Sequence, residues 1–389
     1  MDPATRVLEM VDAPVDSLNE ERRRLESEGR NIINLGQAVP DFGPPLDALQ
    51  GFRESLNDDA LHRYTPDSGL SELRAAVAAS LGPKANGEPV SPDEIIITAG
   101  ANHAFLVACA GMINDGDAVG LLSPYFLNHV MTVEGIGGRT IELLPDENFV
   151  YDPSEIGRAI EHHHLKALAI VNPSNPTGKS FSREELAGIC DVCRKTGAWI
   201  ISDEVYRRFD YSETGHTSVL SIPGTEENAI VIGSFSKEFG MTGWRVGWIR
   251  VPRKVVTQFM KVQDYSIICA PHPSQVLALN AMRMQPNWAA SRIAEYNSRR
   301  QALLNFFKGL NGFQVYAGLG AFFTWFRPNS DVDSQTEVLK IMNQAEVLVM
   351  PGSIFGKAWT SWFRLSFGTA RSELLMEGVR RIASYFDPR

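Results

Sequence analysis

Between residues 94 and 251 short apolar runs recur: EIIIT (94–98), AVGLL (118–122), TIELL (140–144), ALAIVN (167–172), WIISDEV (199–205), AIVIGSF (229–235) and VGWIRV (246–251). They are rich in Ile and Val and apolar at consecutive positions, the pattern of strands in a sheet covered on both faces. Stretches with helical spacing lie between several of them, at 102–112 and 183–195. This alternation predicts an α/β domain around a mostly parallel, seven-stranded sheet covered by helices.

Beyond residue 251 the pattern changes. Helical stretches at 253–264, 273–284 and 288–309 precede GAFFTWF (320–326), a helix near 334–346, EVLVMPG (346–352), FRLSFG (363–368) and a last helix near 371–386. These predict a smaller α+β domain, with the helix near 17–28 beside it. The small domain is thus built from both chain ends, residues 1–45 and 286–389, around a large domain at 46–285. The sequence shows no internal repeat and no low-complexity segment.

Composition narrows the function classes. A formal net charge of −9 and a pI near 5.5 lack the basic footprint of a general nucleic-acid binder. No apolar run is long enough to span a bilayer, and MDPATRVLEMVDAP has no apolar core of a secretory signal. With only four cysteines the chain is expected in a reducing, cytoplasmic setting. Cys190 and Cys193 form a C-x-x-C, but no second pair stands at zinc-site spacing. They read as two thiols on one turn of the amphipathic stretch SREELAGICDVCRKTG, and His162-His163-His164 reads as a solvated turn; no metal site is expected.

Candidate chemistry clusters after the strands. In SFSKEFGMTGWRVGW (234–248) a β-rich run ends in two serines and Lys237, followed by Gly240, Gly243 and Arg245. Small residues admit a ligand to the backbone, hydroxyls and a guanidinium suit a phosphate, and the amine can form a Schiff base with a carbonyl. Asp203-Glu204-Val205-Tyr206 ends another strand, where α/β folds place ligands, although an Asp there also suits a helix cap. Asn172-Pro173-Ser174-Asn175-Pro176-Thr177-Gly178 follows a third strand, and taken alone it reads equally as a turn. Thr98-Ala99-Gly100-Ala101-Asn102 opens a helix whose free amides suit an anion. It is not a Walker loop, and no convincing G-x-G-x-x-G follows a first strand, which disfavours a nicotinamide enzyme.

In their order these segments resemble the class I/II aminotransferases, fold type I of the pyridoxal-phosphate enzymes. The resemblance runs from LGQAVPDFGPP (35–45) to FRLSFG (363–368), through TAGANHAF, SPYFLNH, NPSNPTG, DEVY and the lysine–arginine stretch. LGQ…PDF, TAGAN and QDYSIICAPHPSQ look closest to the kynurenine, aromatic and methionine aminotransferases. It implies transfer of the amino group of an L-amino acid to a 2-oxo acid by a ping-pong route, through pyridoxal and pyridoxamine phosphate. Lys237 would hold the cofactor as a Schiff base and move the proton. Asp203 would pair with the pyridine nitrogen, with His129 behind it. Tyr206 and Asn175 would hold the phenolate oxygen, and Phe126 would stack on the ring. Gly100, Ala101, Asn102, Ser234 and Arg245 would cradle the phosphate. Tyr64 would reach the phosphate of a neighbouring subunit, which implies a homodimer with shared sites. Arg364 would clamp the substrate carboxylate, with Asn175 and the amide of Ala38 beside it.

Four positions depart from the family pattern. Ala38-Val39 stands where Gly-Glu is common, and Phe126 where Trp is frequent. The second arginine of dicarboxylate-specific members has no counterpart; the nearest matching position holds Val262. Together with Tyr125, Phe322, Phe323, Phe355 and Trp359, this points to a neutral or aromatic donor, although such aromatics are also ordinary core residues. Two other outcomes use the same motifs: a lyase (β-elimination of a sulfur amino acid or ring closure of an adenosylated methionine), and a non-catalytic aminotransferase-like regulatory domain. The regulatory domain fits less well, because only about 30 residues precede LGQAVPDF, too few for a helix-turn-helix module.

Overall fold

The structure, a computed structural model, describes residues 2–284 and 286–387. Its strands in chain order are β1 (Ile33–Asn34), β2 (Ile95–Thr98), β3 (Ala118–Leu122), β4 (Arg139–Leu143), β5 (Leu165–Val171), β6 (Trp199–Asp203), β7 (Ala229–Ser234), β8 (Gly247–Arg250), β9 (Phe313–Tyr316), β10 (Phe323–Pro328), β11 (Val347–Leu348), β12 (Met350–Pro351) and β13 (Phe363–Ser366). Seven of them form one sheet in the order β2-β8-β7-β6-β5-β3-β4, and β8 alone runs antiparallel to its neighbours. They correspond to the seven apolar runs of the sequence, and the fold is the mostly parallel α/β architecture expected from them.

Their lack of polar–apolar alternation has a direct cause. Ile96, Val119, Ile201, Ile230 and Ile249 face the helices Ala101–Met112, Leu127–Gly135 and Val256–Ile267. Ile95, Ile97, Leu168, Ile200 and Val231 face the helices Ser71–Ser80, Pro153–His163, Arg183–Thr196 and His272–Arg283. Successive side chains of a strand point to opposite faces, so a sheet covered on both sides needs apolar residues at both. Cys190 and Cys193 are buried on Arg183–Thr196, a helix started by a reciprocal capping box between Ser182 and Glu185.

A third core joins the two chain ends. Leu18 and Leu25 of the helix Val15–Ser27 pack with Trp325, Phe326, Phe363 and Leu365 of β10 and β13, and with Val379 and Ile382 of the helix Ser372–Phe386. β1 pairs in parallel with β11, and β9, β10, β12 and β13 form a four-stranded antiparallel sheet. Val205, Tyr206 and Phe209, just past β6, belong to the same core, so it reaches the carboxyl edge of the large sheet.

Local chemistry shifts several expected boundaries. AIVIGSF stops pairing at Ser234, because the Ser234 hydroxyl accepts the Ser236 amide (3.1 Å) and starts a one-turn helix, Phe235–Glu238. WIISDEV stops at Asp203, whose carboxylate accepts the Val205 amide at 3.1 Å. EVLVMPG splits into β11 and β12, which pair with different partners. Among the described residues no helix is long and apolar enough to cross a membrane.

At the opposite edge of the large sheet a buried ion network ties the strands. Arg250 Nε lies 3.1 Å from Glu94 Oε2, Lys84 Nζ lies 3.0 Å from Glu94 Oε1, and Arg250 also donates to the carbonyls of Ala229 and Glu226. Among the described residues, removing the shared acid leaves the buried Arg250 without a carboxylate and Lys84 with only the exposed Glu88 at 3.8 Å. Glu94→Ala is expected to cost about 3–5 kcal/mol of stability, read as an earlier denaturant midpoint. A loss under about 1 kcal/mol would show that the network is solvated.

Candidate active site

β3, β5, β6 and β7 run in parallel, and β2 shares their direction across the antiparallel β8, so all five carboxyl ends meet one edge of the sheet. Ligands of open α/β sheets bind at that edge. Here the loops beyond the strands, the segment after β1 and strand β13 enclose a cavity of about 390 Å³. Its wall includes Ala38, Ala101, Asn102, Phe126, Asn175, Asp203, Tyr206, Ser234, Lys237, Arg245 and Arg364. Residues from seven separate segments, more than 320 positions apart at the extremes (Ala38 and Arg364), are thus brought together.

Each enters from an identifiable element. Asp203 is the last residue of β6 and is buried; its Oδ2 lies 3.2 Å from His129 Nε2, and the His129 ring is stacked on Phe105. Lys237 stands on the one-turn helix capped by Ser234, with its Nζ donating to the Ala38 carbonyl. Arg364 lies in the middle of β13; Nη1 donates to Asn175 Oδ1 at 2.8 Å and Nη2 to the Gly36 carbonyl. The guanidinium is sandwiched by Phe323 (4.7 Å) and Phe355 (5.1 Å), and its Nε has no partner.

Gly100 starts the helix Ala101–Met112 without a side-chain cap, which leaves the first amides free of intrahelical partners. It lies behind the wall, not in it. Its φ is +85°, and a methyl group there would stand 2.6 Å from Arg245 Nη2, so glycine is what lets the guanidinium lie against this loop. His103, one turn on, fastens the loop: its Nδ1 accepts the Ala99 amide (3.2 Å) and its Nε2 lies 2.9 Å from Ser266 Oγ. Burial holds the His103 imidazole down to about 4, so it stays neutral and can accept that amide.

The electrostatics are lopsided. Lys237, Arg245 and Arg364 line the cavity, and among the described residues none of the three is paired with a carboxylate; Asp203 is the only acid in the wall. Burial lowers Lys237 to about 8, helped by the charges of Arg364 and Arg245. Burial likewise brings Arg364 down to about 10, opposed by Tyr206. Burial pushes the Tyr206 phenol up, with Arg364 pulling the other way.

Some sequence expectations find a different place. Tyr64 is 78% exposed and lies outside the cavity. Val262 is buried in the core on the helix Val256–Ile267 and does not face the cavity. Of the five aromatics singled out for a substrate pocket, only Phe355 lines the cavity; Phe322 packs edge-on against Tyr206 from the core. The Ser234 hydroxyl is engaged locally, accepting from Ser236 N and donating to Val246 O at 3.3 Å. The Ser236 hydroxyl, by contrast, lines the cavity without a hydrogen bond. Ser236 was legible as the second serine of the lysine motif, and Gln37 and Asn128 sat inside LGQ and FLNH. Ala13 and Val15, which close the cavity from the N-terminal side, carry no sequence signal.

Known proteins share this fold. The sequence model of the family "Aminotransferase class I and II" matches residues 30–382. The chain is 34% identical over 352 residues to the aspartate aminotransferase of Pyrococcus abyssi, covering 89% of both chains. It is 34% identical over 351 residues to the aromatic-amino-acid aminotransferase 2 of Thermococcus litoralis, covering 88% of this chain and 89% of that one. The crystal structure of the aspartate aminotransferase of Thermotoga maritima superposes with a TM-score of 0.91 at 28% identity, covering 98% of this chain and 99% of that one. A match of this extent, on a fold that superposes so fully, places the chain in the class I and II aminotransferases, enzymes that use pyridoxal phosphate to move an amino group from an amino acid to a 2-oxo acid.

Proposed function

We propose that this cavity holds pyridoxal phosphate on Lys237 and takes a neutral or aromatic L-amino acid by its carboxylate on Arg364. The observation that carries the reading is the charge imbalance: three cations against one carboxylate. Arg364 is buried, and a buried ion without a partner costs several kcal/mol. A phosphate and a substrate carboxylate would supply the missing negative charge.

The donor set fits the cofactor. The free amides at Ala101 and Asn102, the Ser236 hydroxyl and Arg245 would take the phosphate, with Gly100 leaving room for Arg245 and Ser234 shaping the turn. Phe126 would cover a ring face. Tyr206 and Asn175 would reach the ring's phenolate oxygen. Asp203, braced by His129, would accept the proton-bearing ring nitrogen. The bound ring supplies an electron sink for the pair left when the substrate Cα–H bond breaks.

The rest falls to the chain. Lys237 Nζ, lowered to about 8 by burial and by the charges of Arg364 and Arg245, gives up its proton more readily than an ordinary lysine and would take the proton from the substrate Cα. Arg364 fixes the carboxylate through a rigid fork that lysine cannot copy, and so aims the Cα–H at Lys237. Ala13, Val15 and Val39 narrow the mouth of the cavity against water. Asn175 links the two ends, since its Oδ1 already orients Arg364.

The side-chain preference follows from what is left over. Arg245 and Arg364 are the arginines of the wall, and both are assigned; Gln37 and Asn128 are neutral amides, and Val39, Ile354 and Phe355 are apolar. The relatives in Pyrococcus abyssi and Thermococcus litoralis are named for aspartate and for aromatic amino acids. A wall without a spare cation favours the second kind of donor.

A homodimer with shared sites completes the proposal. Arg245 is exposed in the single chain, as are Tyr64 (78%) and Tyr265 (74%). A second copy would cover these rings and bring its Tyr64 toward Arg245 and the phosphate. Sedimentation at the mass of two chains is expected; a stable, fully active monomer would contradict it.

A half-reaction panel tests the reading. Each amino acid is mixed with the pyridoxal form, and the cofactor absorbance is followed. Phenylalanine and neutral amino acids are expected to react at least about tenfold more efficiently than aspartate. Arg364→Met is expected to cost about 2–5 kcal/mol of carboxylate binding, about 30-fold or more in KM. Aspartate as the best donor would refute the side-chain assignment, and an unchanged KM in Arg364→Met would refute the clamp.

A further inference from the structure

Residues 36–42 form a strap across the cavity, and the strap has few points of attachment. At one end Leu35 is tied into the small sheet, its amide donating to Leu348 O and its carbonyl accepting from Ser366 N, while Asn34 Oδ1 accepts the Gly36 amide at 3.1 Å. Among the described residues, the backbone between Ala38 and Pro40 makes no hydrogen bond except the one that Ala38 O accepts from Lys237. The next fixed point is Asp41. Its Oδ2 lies 2.7 Å from Arg299 Nη2, and its Oδ1 lies 2.9 Å from the Tyr296 hydroxyl, which also accepts the Asp41 amide at 3.3 Å. The Arg299 side chain is 1% exposed and Tyr296 is fully buried.

The same two residues also hold the strand that carries Arg364. Arg299 Nη1 donates to Phe367 O (3.2 Å), and the Tyr296 hydroxyl lies 3.0 Å from Gly368 O, directly beyond β13. The strap thus closes a ring. At one end Gly36 O accepts from Arg364; at the other, Asp41 is bound to the residues that fix the end of Arg364's strand. Just past Asp41 the strap touches the lysine loop: Gly240, at φ +64°, sits so close to Phe42 that a methyl group there would stand 2.2 Å from its carbonyl oxygen. Phe42 packs against Trp288 and Tyr296, while Asp41–Asp47 also border an open surface groove of about 910 Å³.

We infer that Asp41, clamped by Arg299 and Tyr296, is a positioning residue for transamination: it sets the strap so that the Gly36 and Ala38 carbonyls orient Arg364 and Lys237. The inference rests on the assignment of those two groups above. Backbone carbonyls have no conformational freedom of their own, so the direction in which they hold a guanidinium and an ammonium depends on where the strap is pinned. Slack in the strap misdirects Arg364 first, because its Nη2 loses an acceptor while the cofactor contacts at the strand ends stay in place.

Asp41→Asn and Tyr296→Phe, each near-isosteric, are compared with wild type as loaded holoenzymes. Both are expected to raise KM for the amino donor, by about tenfold for Asp41→Asn and less for Tyr296→Phe, with kcat within about threefold and cofactor content unchanged. Tyr296→Phe leaves the ion pair intact, and so decides the matter if Asp41→Asn does not fold. A latch with a purely structural role would lower the melting temperature and leave KM of the folded enzyme at the wild-type value; that result in both variants overturns the inference. A wild-type chain with no saturable amino acid reaction overturns the assignment of Lys237 and Arg364 and the latch with it, and it shows without any substitution.

Discussion

A guanidinium buried between two phenyl rings, with no carboxylate in reach, is the constraint around which this molecule is organised. Arg364 is held by Phe323, Phe355, the Asn175 amide oxygen and the Gly36 carbonyl. Neutral acceptors and ring faces ease the cost of burying the charge without cancelling it. The unmet charge is a standing demand for an anion, and Lys237 and Arg245 repeat it on the other walls. The architecture meets this demand by leaving room: Gly100 has no side chain against Arg245, the helix Ala101–Met112 has no cap, and Ser236 keeps its hydroxyl free.

The two sheets divide the labour. The large sheet, covered on both faces, is a rigid plate whose carboxyl edge offers Asp203, Lys237 and the anion loop. The small sheet supplies Arg364, and the helical turn Gly352–Phe355 just past β12 supplies the apolar wall at Ile354 and Phe355. Under the proposed assignment a substrate would have to satisfy both at once, so the registry between the two layers would matter as much as any one contact. That registry runs through thin connections: Arg364 to Asn175, the strap, and the third core that draws Val205, Tyr206 and Phe209 toward Trp325 and Phe363.

What was legible in the sequence was what local pattern encodes. The seven strands of the large sheet stand out because double-sided burial forces continuous Ile and Val. Lys237, Asp203 and Asn175 stand out because each lies at or within a few residues of the end of an apolar run, and Arg245 because it closes the glycine-bearing stretch that follows the lysine. Boundaries were less legible: side-chain caps at Ser234 and Asp203 ended strands that hydropathy would continue. Tertiary facts were not legible at all. Nothing at Ala13 or Val15 marks a cavity wall, and nothing in Tyr296 or Arg299 foretells that they grip Asp41 more than 250 positions away. The aromatic residues misled for a related reason: Phe322 and Phe323 look like pocket residues by type, yet Phe322 backs Tyr206 and Phe323 carries Arg364.

The central claim is that Lys237 is the amine that this cationic, dehydrated cavity prepares for a carbonyl. It is tested by adding pyridoxal phosphate to the apoprotein over a series of pH values, fixing the product with borohydride and locating it by peptide mass. Capture needs the neutral amine, and burial beside Arg364 and Arg245 favours that form by lowering the lysine to about 8. The account predicts label on the Lys237 peptide, rising as the pH climbs through about 8 and level above it. Label spread over surface lysines, or capture that keeps rising toward the 10.4 or so of an ordinary lysine, would contradict it.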